Sequence, residues 1–190
     1  MSLIEEVSTV LRQAAAEAIL PRFRKLTASD VEEKSPGELV TAADHHAERL
    51  IGEQLLQLDP SARIVGEEAC ARNPALASAL DQGTVWLIDP LDGTGNFVSG
   101  RGPFSVMVAL LHGGETVATW MLDPLSGQLH VAELGSGAQI NGVRVVADGK
   151  AEPLRKGSIS MRFFPPEVLE AVKPRLDQVP LIVPPLLCAG

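Results

Sequence analysis

The chain has 190 residues, 45% of them hydrophobic, which supports a sizeable core in one domain or a compact pair of layers. Twenty-four acids against sixteen bases give a net charge of −8. That balance argues against a nucleic-acid surface, but not against an anionic substrate, because bound cations invert the local field.

The N-terminus lacks the basic start and uninterrupted apolar core of a signal peptide, and no apolar run is long enough to span a membrane. Cys70 and Cys188 form no metal or redox motif, so two reduced thiols in a cytoplasmic protein are expected.

Ile4, Val7, Leu11, Ala14 and Ala18 recur at helical spacing and predict an amphipathic helix over residues 3–20. Residues 26–38 are polar and broken by Pro36 and Gly37, which predicts a loop or hinge. Thr41 is placed to cap a second helix that runs to about Leu58, where Asp59-Pro60 stops it. Asp44 and Glu48 are four apart and share a face of this helix. A short strand at 63–65 follows, then a polar, Ala-rich linker or helix at 69–82, then a buried strand at 85–88. Residues 103–112, 115–122, 128–133 and 138–146 predict a mostly antiparallel meander, with Asn141-Gly142 as a two-residue hairpin signal. Pro165-Pro166-Glu167 opens a helix to about Val172. Residues 179–187 are apolar, short and interrupted by three prolines, so they predict a strand or connector rather than a membrane contact. Helices first and strands after give an α+β fold.

The chemistry concentrates where the strand at 85–88 ends, in Asp89-Pro90-Leu91-Asp92-Gly93-Thr94. Pro90 has no N–H, so it is expected to stop the ladder and bend the chain, turning Asp89 and Asp92 toward one point. Two such carboxylates repel, and a hard divalent cation with all-oxygen ligation relieves the repulsion. Gly93 lets the backbone approach a ligand, and N–H groups of the following turn are placed to meet an anion. An internal control sharpens the reading. Asp123-Pro124-Leu125-Ser126-Gly127 nearly copies the motif but has Ser126 in place of the second acid, between two strand-forming segments, and reads as a hairpin loop.

In order along the chain stand Lys34, Leu39-Val40-Thr41-Ala42-Ala43-Asp44, Ile64-Val65-Gly66-Glu67-Glu68, the block Asp89 to Phe97, Pro103-Phe104-Ser105-Val106, and Gly135-Ser136-Gly137-Ala138 followed by Asn141-Gly142. This set resembles the inositol monophosphatase family of metal-dependent phosphatases over nearly all of residues 2–150. The resemblance implies a layered α/β sandwich, a metal-binding α+β domain over 1–150, and at 151–190 the start of an incomplete C-terminal α/β domain. Family members continue into a second half whose Trp-Asp motif supplies a further metal ligand. The tryptophans here are Trp86 and Trp120, and neither precedes an Asp.

By the same resemblance, Glu67, Asp89, the carbonyl of Leu91 and Asp92 are metal ligands for Mg²⁺. Asp44 polarises the hydroxyl of Thr94, which with Glu67 helps to activate water, and Asp92, Gly93 and Thr94 meet the phosphate. The implied function is a phosphomonoesterase for a small phosphorylated metabolite, similar to inositol monophosphate or histidinol phosphate. The implied partners are that metabolite and a second copy in a homodimer, with no nucleic acid and no membrane. On residue type alone Glu68 is a solvated neighbour of Glu67, Glu48 a surface or supporting residue, and Lys34 a solvated loop residue, while the resemblance implies that the mobile loop of Lys34 approaches the metal site. Arg101 and Arg144 read as surface residues, and Asn96-Phe97 as packing and local hydrogen bonding. The adjacent His45 and His46 point in different directions on a helix, and His112 and His130 lack spaced partners.

Three other readings stay open. A metal- or partner-binding fragment without turnover is one, because the second half is missing. A haloacid-dehalogenase-like phosphatase also uses two Asp and a Thr with Mg²⁺, but its acids are two apart, whereas Asp89 and Asp92 are three apart. A calcium loop fails on spacing, with Gly100 where its closing Glu belongs.

Overall fold

The computed structural model describes residues 1–147, 157–158, 165–176 and 182–183. The chain divides into two compact units, the first reaching Val146 and the second lying within 147–188.

The first unit opens with α1 (Leu3–Ala14), capped by Ser2 and Glu5 in a reciprocal capping box. A π turn, Ala15–Ile19, continues it. A short 3-10 turn then leads into β1 (Val31–Ser35) and β2 (Glu38–Thr41), paired antiparallel. This ribbon replaces the expected loop. Pro36-Gly37 turns the chain, with Gly37 at φ 81°, instead of breaking it. Residues 31–38 are exposed or only partly buried, so they carry no apolar alternation to announce a strand.

Next come α2 (Ala42–Leu58), β3 (Arg63–Gly66), α3 (Glu67–Arg72), a 3-10 helix at Pro74–Ala79, and β4 (Thr84–Asp92). After α4 (Thr94–Val98) the meander runs β5 (Ser105–His112), β6 (Glu115–Leu122), β7 (Leu129–Glu133), β8 (Gly137–Ile140) and β9 (Val143–Val145). Strands β3 to β9 form one seven-stranded sheet in chain order. Within this sheet the β3–β4 pair is parallel and the others are antiparallel. Asn141 and Gly142, at φ 48° and 82°, make the turn between β8 and β9. The Asp123 copy of the motif is a closed loop, its carboxylate accepting from Leu125 N and Ser126 Oγ at 2.8 and 2.6 Å.

In the second unit, β10 (Gly157–Ser158) pairs parallel with β11 (Ile182–Val183), and α5 spans Pro166–Leu176. The expected strand or connector at 179–187 otherwise lies outside the described residues.

The core of the first unit sits between one face of the sheet and the N-terminal helices. Val7, Leu11, Ile19, Ile51 and Leu55 pack against Trp86, Ile88, Val106 and Trp120, all essentially buried. The tryptophan rings lie 6.0 Å apart, and Trp120 Nε1 donates to Ile4 O at 3.2 Å. On the opposite face, Leu87, Met107, Met121 and Ile140 line a mainly apolar cleft of about 420 Å³. Beneath α4, Phe97 is fully buried between Phe23 and Phe104, at ring distances of 5.6 and 5.2 Å. Truncating it leaves a cavity that two neighbouring rings cannot fill. Phe97→Ala is therefore expected to cost about 3–5 kcal/mol, read as a lowered urea midpoint. A loss below about 1 kcal/mol would mean the trio is loosely packed.

Candidate metal and phosphate site

Side chains alternate along a regular strand, so residues three apart face opposite sides. The register between β4 and β5 breaks that rule. Asp89 pairs with Met107 and Asp92 with Ser105, so three steps on β4 match two on β5. The extra residue is a bulge that brings both carboxylates to one side. Pro90 therefore interrupts the ladder without ending it, and β4 runs on to Asp92 instead of stopping as its proline suggests. Asp89 steadies the bulge by accepting from Leu91 N at 3.2 Å. Gly93 follows at φ 89°, a left-handed conformation suited to glycine, and opens α4.

Three other elements meet this strand end. The first residues of α2 bring Asp44, buried and held by Thr41. Its Oδ2 accepts from Thr41 N and Oγ1 at 2.8 and 2.6 Å, and its Oδ1 accepts from Thr94 Oγ1 at 3.1 Å. Thr94 Oγ1 also lies 3.0 Å from Leu91 O. The start of α3 brings Glu67, whose carboxyl is in hydrogen-bond contact with that of Asp89. The β1–β2 ribbon brings Lys34, whose Nζ donates to Glu67 Oε1 at 2.7 Å and Glu68 Oε1 at 2.8 Å.

Three residues differ from their expected surroundings. Glu68 does not face solvent: its side chain is 1% exposed, and Oε2 has no hydrogen-bond partner among the described residues. Glu48 is also buried, and its two oxygens accept from Glu68 N and Ala69 N at 2.7 and 3.0 Å. It thereby caps α3 from another helix, which Gly66 at the N-cap cannot do. Lys34 is 15% exposed instead of solvated, because two carboxylates hold it. Asn96 donates to Pro103 O at 2.7 Å, and Arg101 and Arg144 are exposed.

Electrostatics follow from this crowding. Burial pushes the Asp89 carboxyl up to about 8, assisted by Glu67 and Asp92. Burial raises Asp44 to about 6, against the hydrogen bonds from Thr41 that favour its charge. Burial also raises Glu48 despite its two N–H donors. Burial alone would lower the Lys34 ammonium, but Glu67 and Glu68 more than reverse that and raise it.

Residues 1–171 match the inositol monophosphatase family. The chain belongs to the inositol monophosphatase family. It is 34% identical over 131 residues to an inositol-1-monophosphatase of Rhizobium meliloti, covering 69% of this chain and 47% of that protein. It is 33% identical over 135 residues to the Nus factor SuhB of Vibrio cholerae, covering 70% and 47%. A fructose-1,6-bisphosphatase/inositol-1-monophosphatase of Aquifex aeolicus is 31% identical over 140 residues, covering 74% and 51%. The chain thus spans about half the length of the curated relatives it matches. The fold matches an IMPase structure from Thermotoga maritima with a TM-score of 0.74 at 24% identity, covering 100% of this chain and 70% of that one.

The inositol monophosphatase family is generally metal-dependent. Among the described residues, no group of three or more His, Cys, Asp or Glu side chains converges tightly enough to hold a metal ion. The donor set nevertheless suits a hard cation. Glu67 and Asp89 meet as a carboxyl pair, Asp92 adds its charge to Asp89, and Glu68 presents a buried oxygen without a partner among the described residues.

The raised carboxyls set a pH dependence. Asp44 and Asp89 keep their protons in the folded chain to about pH 6 and 8, while the unfolded chain loses them near pH 4. Folded protein therefore binds more protons across this window, and stability falls as pH rises from about 4 to 8. In EDTA, the urea midpoint should be lower at pH 8.5 than at pH 5, and Asp89→Asn should remove the part above pH 6. A flat midpoint in the parent chain would mean that the acids are not buried together.

Proposed function

We propose that this chain carries the site of a Mg²⁺-dependent phosphomonoesterase acting on a small phosphorylated metabolite, similar to inositol monophosphate or histidinol phosphate, in the cytoplasm. The observation that carries the reading is the contact of Thr94 with Asp44 at 3.1 Å beside the Glu67–Asp89 carboxyl pair. Glu67, Asp89, the Leu91 carbonyl and Asp92 would hold the cation, which supplies charge neutralisation for phosphoryl oxygens and a more acidic water.

The remaining roles belong to the chain itself. Thr94 donates its proton to Asp44, leaving an oxygen lone pair to accept from a water and fix its direction. Thr41 holds Asp44 so that the carboxylate stays aimed at Thr94. Glu67, at the start of α3, is placed to take the proton that the water gives up. A Cβ at Gly95 would meet nothing within 4 Å, so the backbone after Gly93 and Thr94 is open to an approaching phosphate. Separating these steps from a nucleophilic carboxylate is a matter of trapping. Covalent label on Asp89 from a phosphate analogue would replace this scheme with an aspartyl-phosphate one.

A second reading, a partner-binding chain without turnover, is favoured by one finding. A protein 33% identical to this chain is called a Nus factor. Phosphate release, compared between this chain and a version extended through a Trp-Asp segment, separates the two. The enzyme reading expects Mg²⁺-dependent release in the extended version and little in the 190-residue chain. Release in neither favours partner binding.

Two variants test the residue roles. Asp89→Asn should weaken Mg²⁺ binding more than any other single change in the cluster, measured by calorimetry; unchanged affinity would move the site elsewhere. Thr94→Ala should keep the fold and Mg²⁺ binding while lowering turnover of the extended version by about 10²–10⁴. Parent-level turnover at saturating Mg²⁺ would remove Thr94 from the scheme.

A further inference from the structure

A second concentration of charge lies along α2, and it has the opposite sign. Arg22, His45, His46, Arg49 and Arg72 surround an open groove of about 770 Å³. In a chain of net charge −8, three guanidiniums on one groove are an exception. None of them has a carboxylate within 4 Å among the described residues. Arg22 donates to Ala18 O at 2.8 Å, and Arg72 lies 3.3 Å from His45 Nδ1, so both are braced, with Asp30 and Glu48 acting on them only from beyond ion-pair distance. The acid in the groove, Glu48, already gives both oxygens to the N–H groups of α3.

We infer that this groove is a second anion site, distinct from the Glu67–Asp89 pair, and that it takes a small molecule bearing a diphosphate. Guanidinium forks bind phosphoryl oxygens two at a time, so three of them outmatch a single phosphate and suit two linked phosphoryl groups. The imidazoles add donors between the arginines. Arg49 and His45 stand on α2, and Arg72 closes α3, so one bound diphosphate would bridge the two helices that carry Asp44, Glu67 and Glu68.

Inorganic pyrophosphate is the probe, titrated into the 190-residue chain in EDTA, where the metal-dependent site takes no part. Calorimetry should show one saturable site, at least tenfold tighter for pyrophosphate than for orthophosphate. Arg49→Gln/Arg72→Gln should weaken it at least tenfold. Arg101→Gln/Arg144→Gln, both exposed and outside the groove lining, makes the same change in net charge and should leave it unchanged. Asp89→Asn should also leave it unchanged, so failure of the phosphatase reading and failure of this one are distinguishable. Circular dichroism confirms that each variant is folded, and Arg49→Gln alone replaces any double variant that is not. The inference is overturned if no saturable binding is seen, if both double variants weaken it equally, or if Asp89→Asn abolishes it. A short RNA that displaces pyrophosphate at lower concentration than pyrophosphate itself binds would equally overturn the small-molecule assignment.

Discussion

The site depends on one long-range hydrogen-bonded joint, the Glu48 carboxylate accepting from the backbone of Glu68 and Ala69. A helix start leaves N–H groups without intrahelical partners, and a side chain just before the helix normally takes them. Here Gly66 occupies that position, and the cap comes from α2. A side chain at Gly66 would collide with the Glu48 carboxylate, so the glycine and the distant glutamate form one device. Because α2 also presents Asp44 and α3 presents Glu67, the joint fixes the spacing between the residue that meets Thr94 and the residue that meets Asp89.

That arrangement concentrates negative charge. Asp44, Glu48, Glu67, Glu68, Asp89 and Asp92 crowd one region, and Lys34 pairs with two of them. Burial penalises the charged carboxylate and the neighbouring acids add to that, which is why Asp89 moves furthest. The ribbon of β1 and β2 has the role of carrying Lys34 to Glu67 and Glu68. Its polar, exposed composition fits a tether that works at its tip more than a strand pair that works by burial.

Much of this was legible in the sequence because it is local. The span of α2 follows from Thr41 and from Asp59-Pro60. The antiparallel run from β5 to β9 follows from strand formers and from Asn141-Gly142. The acids at the end of β4 announce themselves through Asp-Pro-Leu-Asp-Gly-Thr. What escaped depends on contacts distant in sequence. The burial of Glu68, the capping role of Glu48 and the anchoring of Lys34 each need partners tens of residues away. Pro90 misled for a different reason: a bulge lets the ladder skip a residue without an N–H, and periodicity alone does not reveal a bulge.

The pairing of Trp86 and Trp120 has a spectroscopic consequence. Both indoles are buried in the layer between the sheet and the N-terminal helices, and the chain contains no tyrosine. Residues 147–188 contain neither chromophore. Intrinsic fluorescence of this protein is therefore a single-layer signal, and the second compact unit is silent in it. An unfolding transition followed at the tryptophans describes the first unit alone. Coincidence with a far-ultraviolet signal, to which α5 also contributes, is the observation that would make the two units one cooperative block.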